Sequence, residues 1–452
     1  MRENVFFASL PPDARSTALR ALLLTEQGML AQHALDLALT SARPELSARD
    51  GRLATELFYG VLRTEIRIDF LLGRALRKPQ NLPQALRSVL RLGVYSLLFQ
   101  DRVPQYAAVS AAVEQAHRLF PASLARLVNA ALRGVQRMGE AVFQPQFYVV
   151  DKAPSDDARW RGLCLYYSLP RVIADIWEKA YGRSAAITLL QRSFARPWAG
   201  LRLNVAHPSA DVLRPALLAA DASAVAPNGF AFAPGSLPPG LLGKPLSHWQ
   251  AVGAVSFQSA GSQTVLEALG LAGLGSRAWW DACAGRGGKT CALLERGVEV
   301  ALCSDVSPGR LSHISGQCRI LGLPQPHIVL ASAAEPPLAR WDGHILLDAP
   351  CSGLGVLARR PDLRRRVNLG HLDRCATLQS RLLRRGAGCL LPGRCLAYVT
   401  CTLNPAENQE QIARFLAKHA DFSLAAEWQT PSGHPWMEGM YGALLARGRG
   451  RS

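Results

Sequence analysis

The stretch Trp279-Trp280-Asp281-Ala282-Cys283-Ala284-Gly285-Arg286-Gly287-Gly288-Lys289-Thr290 constrains the fold of this chain more than any other. A short apolar run ends in small residues, and Cys291-Ala292-Leu293-Leu294-Glu295 then has helical character, which reads as strand, tight glycine turn and helix. Glycines let a backbone approach a ligand closely, and the helix that follows presents unpaired N–H groups to it. The spacing fits neither a phosphate P-loop nor a dinucleotide fingerprint, so the turn by itself does not name its ligand.

From Val252 onward apolar strands alternate with helical patterns. Strands are expected at 278–282, 298–305, 328–331, 345–348 and 396–400. Helices are expected at 289–295, 309–321, 372–385 and 405–419, with an antiparallel edge strand at 440–445. Such alternation gives a mainly parallel, doubly wound α/β sheet that binds ligands at the C-terminal ends of its strands.

Upstream, residues 13–138 read as helical throughout, with Leu53, Leu57 and Val61 recurring at i, i+4 and i+8. Arg63, Arg67, Arg74, Arg77, Arg87 and Arg91 are expected on its polar faces. Breakers at 144–157, helical patterns at 172–194 and 211–220, and an alternating strand at 201–205 suggest a small α+β connector. The expected domains are 1–143 (all-helical), 144–250 (connector) and 251–452 (doubly wound α/β).

A chain of 452 residues, 49% of them hydrophobic, can bury several cores. Its net charge of +17, carried mostly by arginine, favours a polyanionic partner: nucleic acid first, an anionic membrane second. Met1-Arg2-Glu3-Asn4-Val5-Phe6-Phe7 lacks the apolar core of a leader, and no uncharged run reaches membrane-spanning length. A cytoplasmic protein outside membranes, and a monomer, is expected. The ten cysteines form no C-x-x-C pair, so most read as reduced and buried, with no metal site.

Later strand ends carry the chemistry. Asp305 is placed either to accept hydrogen bonds from ribose hydroxyls or to cap the helix after Pro308. Asp348-Ala349-Pro350-Cys351-Ser352-Gly353 puts a carboxylate and a thiol on one turn. In Thr400-Cys401-Thr402-Leu403-Asn404-Pro405-Ala406-Glu407-Asn408, the spacing of Asn404, Pro405 and Glu407 suits a capped helix start. Cys401 would then lie ahead of a helix N-terminus that favours thiolate. A capping role alone for Glu407 and Asn408, and a buried structural role for either cysteine, stay open.

Taken together, these motifs resemble the Sun family of RNA 5-methylcytosine methyltransferases, from about Gln258 to the C-terminus. Arg52-Leu53-Ala54-Thr55-Glu56-Leu57-x-x-Gly60-Val61-Leu62-Arg63 and Val128-Asn129-Ala130-x-Leu132-Arg133 resemble a NusB-type RNA-binding helical domain. The resemblance implies a Rossmann-like methyltransferase domain that uses S-adenosylmethionine, preceded by a NusB-like domain and the connector. It implies Cys401 as the nucleophile that adds to the cytosine 6-position, Cys351 as an aid to release of the product, and Asp348 as a hydrogen-bond partner of the base. Cys283, Ala284, Gly285, Arg286, Gly287, Gly288, Lys289, Asp305, Ser332 and Asp348 would line the cofactor site.

The basic run after the Cys351 loop, with Arg359, Arg360, Arg364, Arg365 and Arg366, resembles the family's RNA-contacting segment. Small-subunit ribosomal RNA is the expected substrate, with transfer RNA as an alternative. Three positions depart from the family pattern: Arg286 stands where proline is usual, Ser332 where aspartate is usual, and Ser259 where an acidic residue is usual. Two rival readings are a non-catalytic RNA-binding assembly protein that keeps the fold and a DNA cytosine methyltransferase.

Overall fold

The apolar stripes of the N-terminal region fold into helices α1 (Ala14–Glu26), α2 (Ala31–Ala42), α3 (Ala48–Ala75), α4 (Gln84–Phe99), α5 (Gln105–Leu119) and α6 (Ala122–Gln136). They are seen in a computed structural model that describes residues 10–43, 45–151 and 155–449. Met1–Phe7, read above for a leader, lies outside the described residues. Side-chain caps start two of these helices: Asp13 accepts from Ser16 N at 2.7 Å, and Ser47 Oγ from Asp50 N at 3.0 Å. Leu57, Phe58, Val61, Leu90, Val94, Val128 and Leu132 share one core. Gly60 is needed where α3 meets α4, because a Cβ there would lie 2.0 Å from the Tyr95 ring.

Three of the arginines expected on polar faces, Arg63, Arg67 and Arg91, are instead buried. Arg67 donates to Tyr148 Oη at 2.8 Å and Val142 O at 2.6 Å, with its guanidinium 4.2 Å from the centre of the Tyr166 ring. Arg91 bonds Glu26 at 2.8 Å and Asp69 at 2.7 Å. A buried guanidinium persists only with such partners. Arg67 thereby ties residues 142–166 to α3. Helix α7 (Asp156–Tyr166) joins the same compact unit, which extends to Asp175 and takes in Arg360–Arg366.

The second unit spans Ile176–Arg359 and Val367–Ser452; the boundary falls within helix α8 (Arg171–Phe194), which is broken at Gly182. A small antiparallel sheet comes first. It is ordered β2-β3-β1-β6, from β1 (Ala199–Leu203), β2 (Ser223–Ala226), β3 (Gly229–Phe232) and β6 (Val255–Phe257). Between them lie helix α9 (Ala210–Ala219), the hairpin of β4 (Gly240–Leu241) and β5 (Lys244–Pro245), and helix α10 (Leu246–Ala251). Leu201, Leu203, Leu213, Leu217, Phe230 and Phe232 form its core.

The large sheet runs β12-β13-β11-β10-β7-β8-β9. Helix α11 (Ala260–Ala268) precedes β7 (Trp279–Asp281), α12 (Gly288–Leu294) follows it, and α13 (Pro308–Leu321) lies between β8 (Val300–Asp305) and β9 (His327–Leu330). Helix α14 (Leu369–Cys389) joins β10 (His344–Asp348) to β11 (Cys395–Thr400), and α15 (Gln409–Leu416) leads to β12 (Phe422–Gln429) and β13 (Tyr441–Arg447). Strands β11, β10, β7, β8 and β9 are parallel, while β13 is antiparallel to β11 and β12. The order reverses between β7 and β10, which makes their C-terminal ends the switch-point crevice.

Two expectations change. The antiparallel strand at the C-terminus is internal, covered by β12, which the sequence reading missed. Most β12 side chains are at least partly exposed, although Phe422, Leu424, Ala426 and Trp428 alternate along it and Ala426 and Trp428 pack against the core, so the signal was present in the sequence. Residues 405–419 do not form one helix: Pro405–Glu407 is a single 3-10 turn, and α15 starts at Gln409. Among the described residues, no helix is long and apolar enough to cross a membrane.

Candidate active site

The glycine turn leaves β7 at the switch point. Gly285 and Gly287 have φ of +55° and +81°, and Gly287 caps α12, so a side chain would strain both positions. Beneath the turn, Thr290 donates to Asp281 Oδ2 at 2.6 Å, and burial pushes the Asp281 carboxyl up to about 7. Asp305 ends β8 and accepts from Gly285 N at 3.0 Å and Ser307 N at 2.8 Å. It does not cap α13, whose first flanking residue is Ser307. Ser332 follows β9 and takes Ala334 N at 3.2 Å on its hydroxyl. Arg286 is exposed and Cys283 half-buried.

Lys289 reaches from the first turn of α12 to Asp348 at the end of β10, with Nζ 2.6 Å from Oδ2. Burial alone would lower the lysine pKa, but the charge of Asp348 and its hydrogen bond outweigh that and raise it. Two thiols lie on the neighbouring loops. Cys351 and Cys401 have their sulfurs 3.2 Å apart, and Cys401 N donates to Cys351 Sγ at 3.3 Å. The hydrogen bond from Cys351 lowers the Cys401 pKa, and the charge of Lys289 acts in the same direction. That bond and burial push Cys351 well above the ordinary thiol value. One sulfur is therefore disposed to be thiolate while the other keeps its proton.

Glu407 holds the two thiol loops in register, a role that its capping-box spacing did not reveal. It is fully buried and accepts from Ser352 N at 2.9 Å, Ser352 Oγ, Asn404 Nδ2 at 2.9 Å and Gln379 Nε2 at 2.9 Å. Gln379 also donates to Pro350 O at 2.9 Å. Its only sequence signal is a polar residue on the buried face of α14. The expected helix N-terminus behind Cys401 is a single 3-10 turn, so thiolate stabilisation comes from Cys351 and Lys289 instead.

The basic run divides. Arg359 donates to Trp198 O at 2.7 Å and Glu438 at 2.6 Å. In the helical unit, Arg365 pairs with Glu65 at 2.6 Å, Arg366 donates to Gly28 O at 3.1 Å, and Arg360 lies 3.4 Å from Asp362. Arg364 is a correction to the expected RNA contacts: it is buried, with Nη1 donating to Arg63 O and to Ser168 O at 2.7 Å. A guanidinium spent on carbonyls in the interior is not offered to phosphate.

A sheet of this order, with a glycine turn at the switch point and an acidic residue ending the next strand, defines a Rossmann-like methyltransferase. The family profile described as 16S rRNA methyltransferase RsmB/F matches residues 269–441, and the NusB family profile matches residues 12–137. The chain belongs to the RsmB/F family of 16S rRNA methyltransferases. It is 33% identical to the probable ribosomal RNA small subunit methyltransferase B of Synechocystis sp., over 86% of each chain. It is 30% identical to ribosomal RNA small subunit methyltransferase B of Shewanella oneidensis, over 96% of this chain and 99% of that one. Two solved structures share the fold. PH0851 has a TM-score of 0.73 at 21% identity, over 97% of this chain and 99% of that one. NSun6 from Pyrococcus horikoshii with SFG has a TM-score of 0.50 at 19% identity, over 62% of this chain and 98% of that one.

Proposed function

We propose that this chain, acting in the cytoplasm, transfers a methyl group from S-adenosylmethionine to the 5-position of a cytosine in small-subunit ribosomal RNA, with Cys401 as the covalent catalyst. The observation that carries the reading is the pair of thiols 3.2 Å apart, with the Lys289–Asp348 pair bearing on the same site.

The cofactor fits the residues present. The turn at Gly285 has open space where a Cβ would stand, and Asp305 Oδ1 takes a single backbone N–H, which leaves a lone pair for a ribose hydroxyl, while Oδ2 takes Gly285 N and lies 3.5 Å from Arg310. Gly285, Gly287 and Gly288 would pass close to the cofactor, with Ser332 and the exposed Arg286 on its borders.

Cytosine is too electron-poor at its 5-position to be methylated directly. The Cys401 thiolate adds to the 6-position, a carbon–sulfur bond forms, and the electron pair moves to the 5-position. Asp348, held by Lys289, hydrogen-bonds the ring and supports its protonation during attack. Bound S-adenosylmethionine supplies an electrophilic methyl group. When the 5-proton leaves to a base, the carbon–sulfur bond breaks toward Cys401. The Cys351 S–H then stabilises the departing thiolate and aids release. The base must be unstacked to reach the sulfur, which points to a loop or bulge.

The test is denaturing gel analysis of Cys351→Ala and Cys401→Ala incubated with small-subunit RNA and S-adenosylmethionine. A denaturation-resistant protein–RNA adduct is expected from Cys351→Ala only. Absence of an adduct from either variant, together with no methyl transfer by the wild type, would overturn the reading.

A further inference from the structure

We propose that the groove between α14 and α15 is a phosphate-binding track for the substrate RNA, distinct from the thiol pair. The proposal rests on the RNA-substrate reading above. The groove has a volume of about 950 Å³ and is lined by Arg374, Arg381, Arg384 and Arg414, against a single lining carboxylate, Asp373. All four arginines are exposed. Arg374 and Arg381 recur at i and i+7 on one stripe of α14, and Arg384 adds a cation a turn further on. At the helical rise, Arg374 and Arg384 are about 15 Å apart along the axis. A second hollow shares Arg384 and Arg414 and carries the cationic line on to Lys418.

Arg374, Arg381 and Arg384 are weakly committed within the protein. Arg381 pairs with Glu335 at 2.8 Å and Arg414 with Glu410 at 3.5 Å, all four side chains being about half exposed or more, and such surface pairs yield readily to a polyanion. Arg414 is held more firmly, donating also to Ala406 O at 2.6 Å and Gln411 Oε1 at 2.8 Å. The buried face of α14 is spent on the active site through Gln379, and Ala406, next to Glu407, lines the groove. Backbone held in the groove therefore lies behind the loops that carry Cys351 and Cys401. The row of guanidinium groups in the first groove has no aromatic side chain in its lining, which suits phosphates rather than bases.

The experiment compares the wild-type chain, the triple variant Arg374→Glu/Arg381→Glu/Arg384→Glu and the corresponding triple Lys variant. Each binds a transcript of small-subunit ribosomal RNA without cofactor over a range of salt. The Glu variant should lose at least about tenfold in affinity, with a shallower salt dependence by about 0.7 to 0.9 per lost contact, while the Lys variant stays near wild type. Wild-type affinity and slope in the Glu variant overturn the proposal. So does a Lys variant as weak as the Glu variant, because charge would then not be the cause, or a wild type that binds no RNA. If the Glu variant does not fold, Arg374→Glu and Arg384→Glu singly give the same reading at one contact each. Binding is scored apart from methyl transfer, so a wild type that binds RNA yet forms no adduct overturns the chemistry and leaves the groove to be judged on its own.

Discussion

The Cys401 backbone N–H points at the sulfur of Cys351, 3.3 Å away, and the two sulfurs lie 3.2 Å apart. The shared hydrogen bond lowers one thiol pKa and raises the other. Alkylation by iodoacetamide, followed by mass spectrometry across pH, should modify Cys401 at lower pH than Cys351. In Cys351→Ala the Cys401 profile should shift to higher pH, since its main source of thiolate stabilisation is gone. An unchanged Cys401 profile in that variant would show that the pair is not coupled.

Glu407 is a buried acceptor for donors from Ser352, Asn404 and Gln379. Removing it leaves several buried donors without partners, at about 1–3 kcal/mol each. Glu407→Ala should therefore lower unfolding stability by at least about 3 kcal/mol. Glu407→Gln should also destabilise, because its amide presents N–H groups to donors. Chemical denaturation decides: a stability within error of wild type for Glu407→Ala would mean that the loops are held elsewhere.

How much of this was legible follows from where each signal resides. The inner parallel strands could be read because burial on both faces makes them near-continuous apolar runs, as in His344-Ile345-Leu346-Leu347-Asp348, and the edge strand β9 from its Ile328-Val329-Leu330 run alone. The β12 strand is a different case: Phe422, Leu424, Ala426 and Trp428 give it the period-2 pattern of a half-buried edge strand, a signal that a search for continuous apolar runs passes over. The spacing of Asn404, Pro405 and Glu407 marked a real turn, yet the donors that claim the Glu407 carboxylate come from residues 352 and 379, which a local motif cannot see. Local charge density likewise cannot say which arginine turns inward, and Arg364 and Arg67 did so because backbone carbonyls were waiting for them.

Asp281 supplies a pH dependence. Burial raises its carboxyl from 3.8 to about 7. Between those values the unfolded chain releases this proton while the folded chain keeps it, so stability falls as pH rises through that window and levels off above it. Asp281→Asn keeps an acceptor for Thr290 and removes the titration. Its stability relative to wild type should rise from pH 5 to pH 8, with an upper limit of about 3 kcal/mol. Denaturation curves at those pH values test this, and parallel pH profiles for the two proteins would exclude it.

Arg202, on β1, and Glu295, at the end of α12, form a buried ion pair with Nη2 3.0 Å from Oε1, and Arg202 Nη1 also donates to Gly288 O at 3.2 Å. The pair fixes the base of the glycine turn as well as joining the two sheets. Removing one partner strands the other charge, at about 3–5 kcal/mol, whereas replacing both by apolar residues is often close to neutral. Arg202→Met should therefore be strongly destabilised, and Arg202→Met/Glu295→Leu should recover most of the loss. Arg202's bonds to Gly288 O and to Gln258, which itself donates to Gly288 O, are missing from both variants, so S-adenosylmethionine affinity measured by calorimetry should stay reduced in the double variant despite its recovered stability. Full recovery of affinity along with stability would show that the pair acts on the fold alone and that the turn keeps its shape without Arg202.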